Sequence, residues 1–559
     1  MVTSRRHIPQ KIAALVLAAT LVGMTGCSSG KTGGTKSSSK INTSNLNAKG
    51  TTPILKNKVS LTVLIPQDTN IPDFKTNDMT KKIEQNVNVD LQFQYLPTGN
   101  DAQQKFAVMI SSGSKLPDLV IGTFLNSVQA NVYGQQGYFI ALNDLTDKVS
   151  INLKPHLDSK DGKAYSPYIY DSNGKMYGFP RVVEDLGNDW SWRYWINQTW
   201  LKKLGLSMPK TTDDLYTALK AFKTQDPNGN GKADEIPLIG SKDSWNGMPW
   251  RTLMNAFIYV NSAYDYWDVS NGKLSCSYIQ PEFLEGLKYM NKLCSEGLLS
   301  PLSFTQDQNQ EKQILENKDA QIVGSLPAGS MSIYQVASKR KEDMASVPPL
   351  TGPKGVCWTQ AFDSGSPTPA GYITKDCKDP VAAYMAFDYL YQTDLVWQGR
   401  FGIKGVDWKS PDAGAKGLYE SLGYQPKIQY INSIWGTIQN HEWGENNPTW
   451  RTADMIGGQV WNNNPYDSQY MTAQAVPLYK GKAPKETVKS IVYTADEMNQ
   501  IASIKSTLDT YRDQAVAAFI TGSRPLSDWD NYVKEINNIG LPTFQKVAQK
   551  AYDRMKSQK

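Results

Sequence analysis

Two hydrophobic periods take turns along the early chain. Residues 58–65 (Lys-Val-Ser-Leu-Thr-Val-Leu-Ile) begin by alternating and end in a continuous apolar run, which predicts a strand. Residues 87–95 alternate strictly and predict a second strand, and 116–122 predict a third, short one ending in Gly122. Between them, 79–86 reads as a helix, and 102–111 carries Phe106, Ala107 and Ile110 at helical spacing. Strand, helix, strand, helix, strand predicts a parallel α/β layer. Such sheets bind ligands beyond the carboxyl ends of their strands, where Asp68, Gly122 and Thr123 stand here. Further on, Thr211 and Asp214 form a capping box ahead of Leu215, Ala218, Leu219 and Phe222, one apolar stripe of a helix. More helices are expected at 281–296, 380–392, 495–521, 526–539 and 541–555.

The amino terminus has a different pattern. Arg5, Arg6 and Lys11 precede an apolar run over 12–24, too short to stay across a bilayer. Residues 1–26 therefore read as a secretory signal. Met24-Thr25-Gly26-Cys27 resembles the lipobox of bacterial lipoproteins, with Met24 where Leu is usual; the resemblance implies lipidation at Cys27 and a membrane-anchored, extracytoplasmic protein. Residues 27–50, rich in Ser, Gly, Thr, Asn and Lys, read as a flexible linker.

Charge changes the picture once it is located. The net charge is +6, but residues 1–26 carry +3 and 28–50 carry +4, leaving −1 for 51–559. The folded part thus lacks the basic excess that nucleic acid requires. Its length calls for at least two lobes. Three histidines, one of them His7 in the signal, poorly supply histidine-based catalysis. Cys276, Cys294, Cys357 and Cys377 show no CxxC spacing. Two disulfides in any of three pairings are open to them, but a core this large needs no staples, and we expect buried free thiols.

Two groups of residues carry candidate chemistry. Tryptophans are abundant, 15 in all, and several fall among Gly, Asn and Pro on predicted loops, where a flat apolar face has fewer structural uses. Trp195 and Trp200 open an apolar helical pattern and are expected in the core. Next, Asp226-Pro227-Asn228-Gly229-Asn230-Gly231-Lys232-Ala233-Asp234-Glu235 places side-chain oxygens at loop positions 1, 3, 5, 9 and 10, with Gly at 6. This spacing wraps oxygens around one hard cation. We expect a structural calcium held by Asp226, Asn228, Asn230, Lys232 (its carbonyl), Asp234 and Glu235. Position 12 is Pro237 where an EF-hand has Glu, and Glu235 is its replacement. A plain Asn-Gly turn is the alternative.

Several segments together resemble the family 1 extracellular solute-binding lipoproteins of carbohydrate ABC importers. They are residues 195–206 followed by Pro209-Lys210-Thr211, the calcium loop, Lys175-Met176-Tyr177-Gly178-Phe179-Pro180, Pro348-Pro349-Leu350-Thr351-Gly352-Pro353, and the tail from Phe519 through Trp529 to Arg554. The calcium loop is similar to that of the larger members, alginate-oligosaccharide-binding proteins among them. The resemblance implies an α/β, two-lobed periplasmic-binding-protein-like (type II) fold with a hinge and an interlobe cleft. It implies an N-terminal lobe at 51–185 with a returning segment near 366–430, and a C-terminal lobe at 186–365 completed by 431–559. Crossings are expected near 180–190, 350–370 and 410–435. The implied role is non-enzymatic, a monomer that captures an oligosaccharide and delivers it to ABC permease subunits. Indole faces suit the C–H face of a sugar, and Asp, Glu and Arg suit its hydroxyls. Trp245, Trp358, Trp435 and Trp443 are the expected stacking residues, with Asp68, Glu442 and Arg451 on hydroxyls. The competing readings are a membrane-tethered glycoside hydrolase, which needs two carboxylates flanking one bond, and a binder of a non-sugar solute such as a peptide.

Overall fold

The computed structural model describes residues 41–557, apart from 69, 98, 99, 336, 433, 435–437 and 445. The signal, Cys27, most of the linker and Trp435 lie outside the described residues. β1 (Val59–Pro66) pairs in parallel with β2 (Val89–Leu96) and β3 (Leu119–Ile121). β4 (Phe179–Val183) joins this sheet through the antiparallel β10 (Thr368–Ile373), and β13 (Thr449–Arg451) pairs in parallel with β4. The order is β13-β4-β10-β3-β1-β2, and β10 alone runs against the others. The two sequence patterns find their reason here. β1 lies inside the sheet and is buried on both faces from Val63 onward, hence its apolar run. β2 is the edge strand, and its alternation buries Val89 and Leu91 while Asp90 and Gln92 face outward.

The second sheet has β5 (Tyr194–Asn197) between β8 (Ser325–Pro327) and β9 (Met344–Val347), all antiparallel. Two small ribbons complete the strands: β6 (Trp267–Ser270) with β7 (Lys273–Cys276), and β11 (Trp408–Lys409) with β12 (Gln429–Tyr430). A large core joins β5 to the helices Thr212–Thr224, Pro281–Ser295, Ala495–Thr521, Trp529–Ile539 and Leu541–Ser557. The expected stripe Leu215, Ala218, Leu219 and Phe222 is buried in it, worth about 1.5–3 kcal/mol for each Leu or Phe. Thr211 and Asp214 form the expected capping box. Trp195 and Trp200 are buried.

The chain passes between the sheets three times: between Val183 and Tyr194, between Val347 and Thr368, and beyond Arg451. The last crossing differs from the expected 410–435. β13 still belongs to the first sheet, and the helix Ser468–Tyr479 is the next element to pack on β5 and β8, through Met471, Ala475 and Tyr479. The four described cysteines are free thiols; Cys276 is buried, and the other three are only partly so.

Candidate functional site

The segment leaving β4 turns sharply at Asp185, whose carboxylate accepts from the N–H groups of Gly187 (2.8 Å) and Asn188 (3.3 Å). The second crossing segment runs beside it. Asp185 N–H donates to Ser364 Oγ (2.7 Å), Ser364 N–H to Asp189 Oδ1 (2.9 Å), and Phe362 N–H to the Asp189 carbonyl (2.9 Å). These bonds stitch two of the three crossings into one unit. Burial pushes the Asp189 carboxyl up to about 6, helped by the charges of Asp363 and Asp185, while its bonds to Ser364 pull the other way.

Between the sheets, at the carboxyl ends of β4 and β13, lies a cleft of about 570 Å³. One wall is Arg181, Val183, Thr368, Arg400, Ile456 and Gln459; the other is Trp245, Ser330 and Ser332. The crossings add Asp185, Asn188, Phe362, Ser364 and Ser366, and the start of the helix Ser468–Tyr479 adds Ser468, Gln469 and Thr472. Trp245 is 50% exposed and Phe362 42% exposed, an unusual display for such large apolar rings. Phe362 stacks on Tyr264 with centroids 6.0 Å apart. The Trp245 indole lies over Gly329, where an added Cβ would meet the ring at 2.5 Å, and Gly329 N–H donates to the Trp245 carbonyl (2.9 Å). Only glycine lets the ring lie this close.

Buried groups hold that arrangement. The guanidinium of Arg193, fully buried, donates to the carbonyls of Gly187 and Gly329, tying the first crossing to the strip under Trp245. Beneath the Trp245 loop, the buried Glu311 accepts from Ser244 Oγ; burial pushes its carboxyl up to about 7, against the pull of Ser244 and Ser241. The cleft thus offers exposed aromatic faces among hydroxyl and amide groups, with Arg181 and Arg400 set against Asp185. Such a surface suits a polar, ring-shaped solute.

Among the described residues, Trp245 is the only expected ligand residue that lines this cleft; Trp435 lies outside the described residues. Trp443 is 1% exposed; its Nε1–H donates to Thr80 Oγ1 (2.9 Å) and its ring meets Phe93 edge-on. Arg451 is buried in β13 and donates to the Gly399 carbonyl (2.7 Å). Glu442 is buried and accepts from Gln439 Nε2 (2.6 Å). Trp358 lines a crevice of about 20 Å³ beside Pro348 and Pro349. Asp68 follows β1 as expected, but its carboxylate packs against Gly444 and accepts from Asn70 N–H (2.8 Å). Asp68, Glu442 and Trp443 are polar or aromatic on irregular segments, yet those segments pack on each other. Among the missed cleft residues, Ser330, Ser332, Ser364, Ser366 and Thr368 come from two short runs, Gly329-Ser330-Met331-Ser332 and Ser364-Gly365-Ser366-Pro367-Thr368.

The 226–235 loop follows the helix Thr212–Thr224. Asp226 accepts from the N–H groups of Gly229 (2.9 Å), Asn230 (3.1 Å) and Gly231 (3.0 Å). Gly229 and Gly231 take φ of 74° and 73°, the left-handed turns that fold the oxygens inward. The amide nitrogens of Asn228 and Asn230 donate to Asp234. Glu235 Oε1 is buried without a hydrogen-bond partner, and burial raises its carboxyl above the usual range, with Asp226 and Asp234 adding repulsion. Among the described residues no three His, Cys, Asp or Glu already converge on one point. Here the acids are interleaved with Asn228 and Asn230, whose side-chain oxygens accept from Asn230 N–H (2.9 Å) and Lys232 N–H (2.8 Å). An orphaned carboxylate oxygen that feels the negative charges of Asp226 and Asp234 fits a cation.

Comparison with known proteins agrees with this architecture. The fructooligosaccharide ABC transporter substrate-binding protein FusA of Streptococcus pneumoniae is 28% identical over 486 residues, spanning 82% of this chain and 84% of that protein. FusA solved in complex with kestose superposes with a TM-score of 0.72 at 24% identity, over 89% of this chain and all of that one. An extracellular solute-binding protein from Bifidobacterium longum subsp. infantis superposes at 0.75 with 23% identity, over 89% and 98%. The fold is therefore that of the two-lobed, periplasmic-binding-protein-like solute-binding proteins. Residues 69–395 match the bacterial extracellular solute-binding protein family, and the chain belongs to that family.

Proposed function

We propose that this protein captures an oligosaccharide between its lobes and hands it, unaltered, to the permease of an ABC importer. The observation that carries this reading is the interlobe cleft, with the exposed faces of Trp245 and Phe362 set among hydroxyl and amide groups. The names of FusA and of its kestose complex support a sugar, and a fructooligosaccharide is the first ligand to try. A ligand at about a hundred times its Kd adds roughly 2.7 kcal/mol to stability. A thermal-shift series over fructooligosaccharides and plant and algal oligosaccharides should therefore find one class that raises Tm. Sugar recovered intact after long incubation is the second expected result. Hydrolysis above the buffer rate would favour the tethered glycoside hydrolase instead.

Two further features complete the reading. The 226–235 loop holds a structural calcium, through the oxygens of Asp226, Asn228, Asn230, Asp234 and Glu235 and the Lys232 carbonyl. The orphaned Glu235 oxygen supports this, and FusA has been solved as an EF-hand mutant with fructo-nystose. The ion contributes charge neutralisation and no chemistry on the sugar. The protein is also tethered through a lipid on Cys27, working as a monomer. No described helix is long and apolar enough to cross a membrane. Labelling with a radioactive fatty acid should mark the wild type and spare Cys27→Ala.

A further inference from the structure

A second cavity, of about 400 Å³, opens on the lobe of the six-stranded sheet and shares no residue with the cleft. Its size falls within the roughly 300–1,000 Å³ of small-molecule sites. It is built on the helix Thr393–Phe401 and the loop that follows. Trp397 and Trp408 form its apolar wall, their rings stacked with centroids 5.5 Å apart. That wall is fixed in place. Trp408 Nε1–H donates to the Gly402 carbonyl (3.0 Å), and Asp407 holds the turn by accepting from Ile403 N–H (2.7 Å).

Charge on the lining is predominantly positive. Among the described residues, Lys82, Lys404 and Lys427 line the cavity against Asp394 alone. Lys427 pairs with Asp454, outside the lining. The Lys404 ammonium sits 5.4 Å from the centre of the Trp408 ring, and Lys82 has no ion-pair partner among the described residues. Thr393 and Ser410 add hydroxyl residues to the lining.

The site therefore asks for three things at once: an apolar face for the indole wall, polar groups for the hydroxyl residues Thr393 and Ser410, and an anion for Lys82 and Lys404. We propose that this cavity is a second carbohydrate site, separate from the cleft, that takes a sugar bearing a carboxylate, a uronic acid residue of an oligosaccharide. A neutral sugar would leave the lysines unanswered. A bare anion would leave the tryptophans and the hydroxyl residues unanswered. Binding is non-covalent, and it gives a tethered protein a hold on acidic polysaccharide independent of the transported ligand.

The test uses the mature full chain and titration calorimetry with trigalacturonate, galactotriose and inorganic phosphate. Trigalacturonate should bind wild type, and Lys82→Glu/Lys404→Glu should weaken it by about tenfold or more, the scale of charge-assisted hydrogen bonds. Trp397→Ala should weaken it too, while Trp245→Ala in the cleft should leave this binding in place. If Trp397→Ala does not fold, the surface lysine pair still decides. Absence of binding to wild type, or binding indifferent to the lysine reversals, overturns the proposal. So does loss in Trp245→Ala, which would move the ligand to the cleft. Galactotriose binding as tightly, or phosphate binding as tightly with the same lysine dependence, overturns the uronate assignment. Failure of the cleft to bind any oligosaccharide would overturn the transport reading and leave this one standing.

Discussion

Trp245 and Trp443 look alike in sequence, each on a polar segment near Asn and Gly, yet they do opposite work. Trp245 lies over Gly329 with half its surface open to the cleft, whereas Trp443 is enclosed and hydrogen-bonded to Thr80. Trp245→Ala should weaken ligand binding by about 1–3 kcal/mol, most of a buried aromatic contact, and barely change Tm. Trp443→Ala should cost about 3–5 kcal/mol of stability, as for a large core residue, without loss of affinity in the folded fraction. Calorimetry and melting on both variants check this, and a reversed pattern would exchange their roles. Composition told only that some loop tryptophans are free. Which ones depends on whether another segment packs over the loop, and that is decided by residues far away in sequence, such as Thr80 and Phe93 for Trp443. The hydroxyl lining from Ser330 to Thr368 escaped for another reason. Serine among glycine and proline reads as an ordinary turn until two sheets place it on one cleft.

Among the elements, local pattern was read well where burial is periodic. The alternation of β2 and the apolar run of β1 distinguish an edge strand from an inner one, and the capped helix Thr212–Thr224 sits where its stripe put it. β13 was missed because three residues carry no period; its strand exists only through pairing with β4. The 226–235 loop lies between these cases. Its oxygens are legible by spacing, and the structure adds the buried, unpartnered Glu235 Oε1. If calcium completes this loop, its binding free energy stabilises the native state. Chelator should lower the Tm of wild type, and Asp226→Ala should lose that sensitivity. Since Asp226 also accepts three backbone N–H groups, the variant alone would melt lower even without an ion. The decisive measurement is thus the calcium-dependent difference in Tm. An equal difference in both proteins, or none in wild type, leaves a plain turn.

At the scale of the whole molecule, the two lobes are joined by crossings of which the first two are tied to each other. Asp185, Asp189 and Ser364 bind the first two crossings side by side, so closure has to rotate that unit as a body. The stitch places a buried carboxyl, Asp189, near Asp185 and Asp363. Because its folded pKa is raised from 3.8 to about 6, the native state holds a proton that the unfolded chain has released. Stability contributed at this position therefore falls as pH rises from about 4 through about 6, and stays low above, by up to about 3 kcal/mol at 1.4 kcal/mol per unit. Asp189→Asn keeps an oxygen to accept from Ser364 N–H and removes the charge. The variant should melt above wild type at pH 8, with the gap narrowing steadily toward pH 4. Ligand affinity at pH 5, where the wild-type carboxyl is mostly neutral, should be nearly the same in the two proteins. A gap that is flat across this range would mean that Asp189 titrates normally and that the crossings are held by their backbone bonds alone.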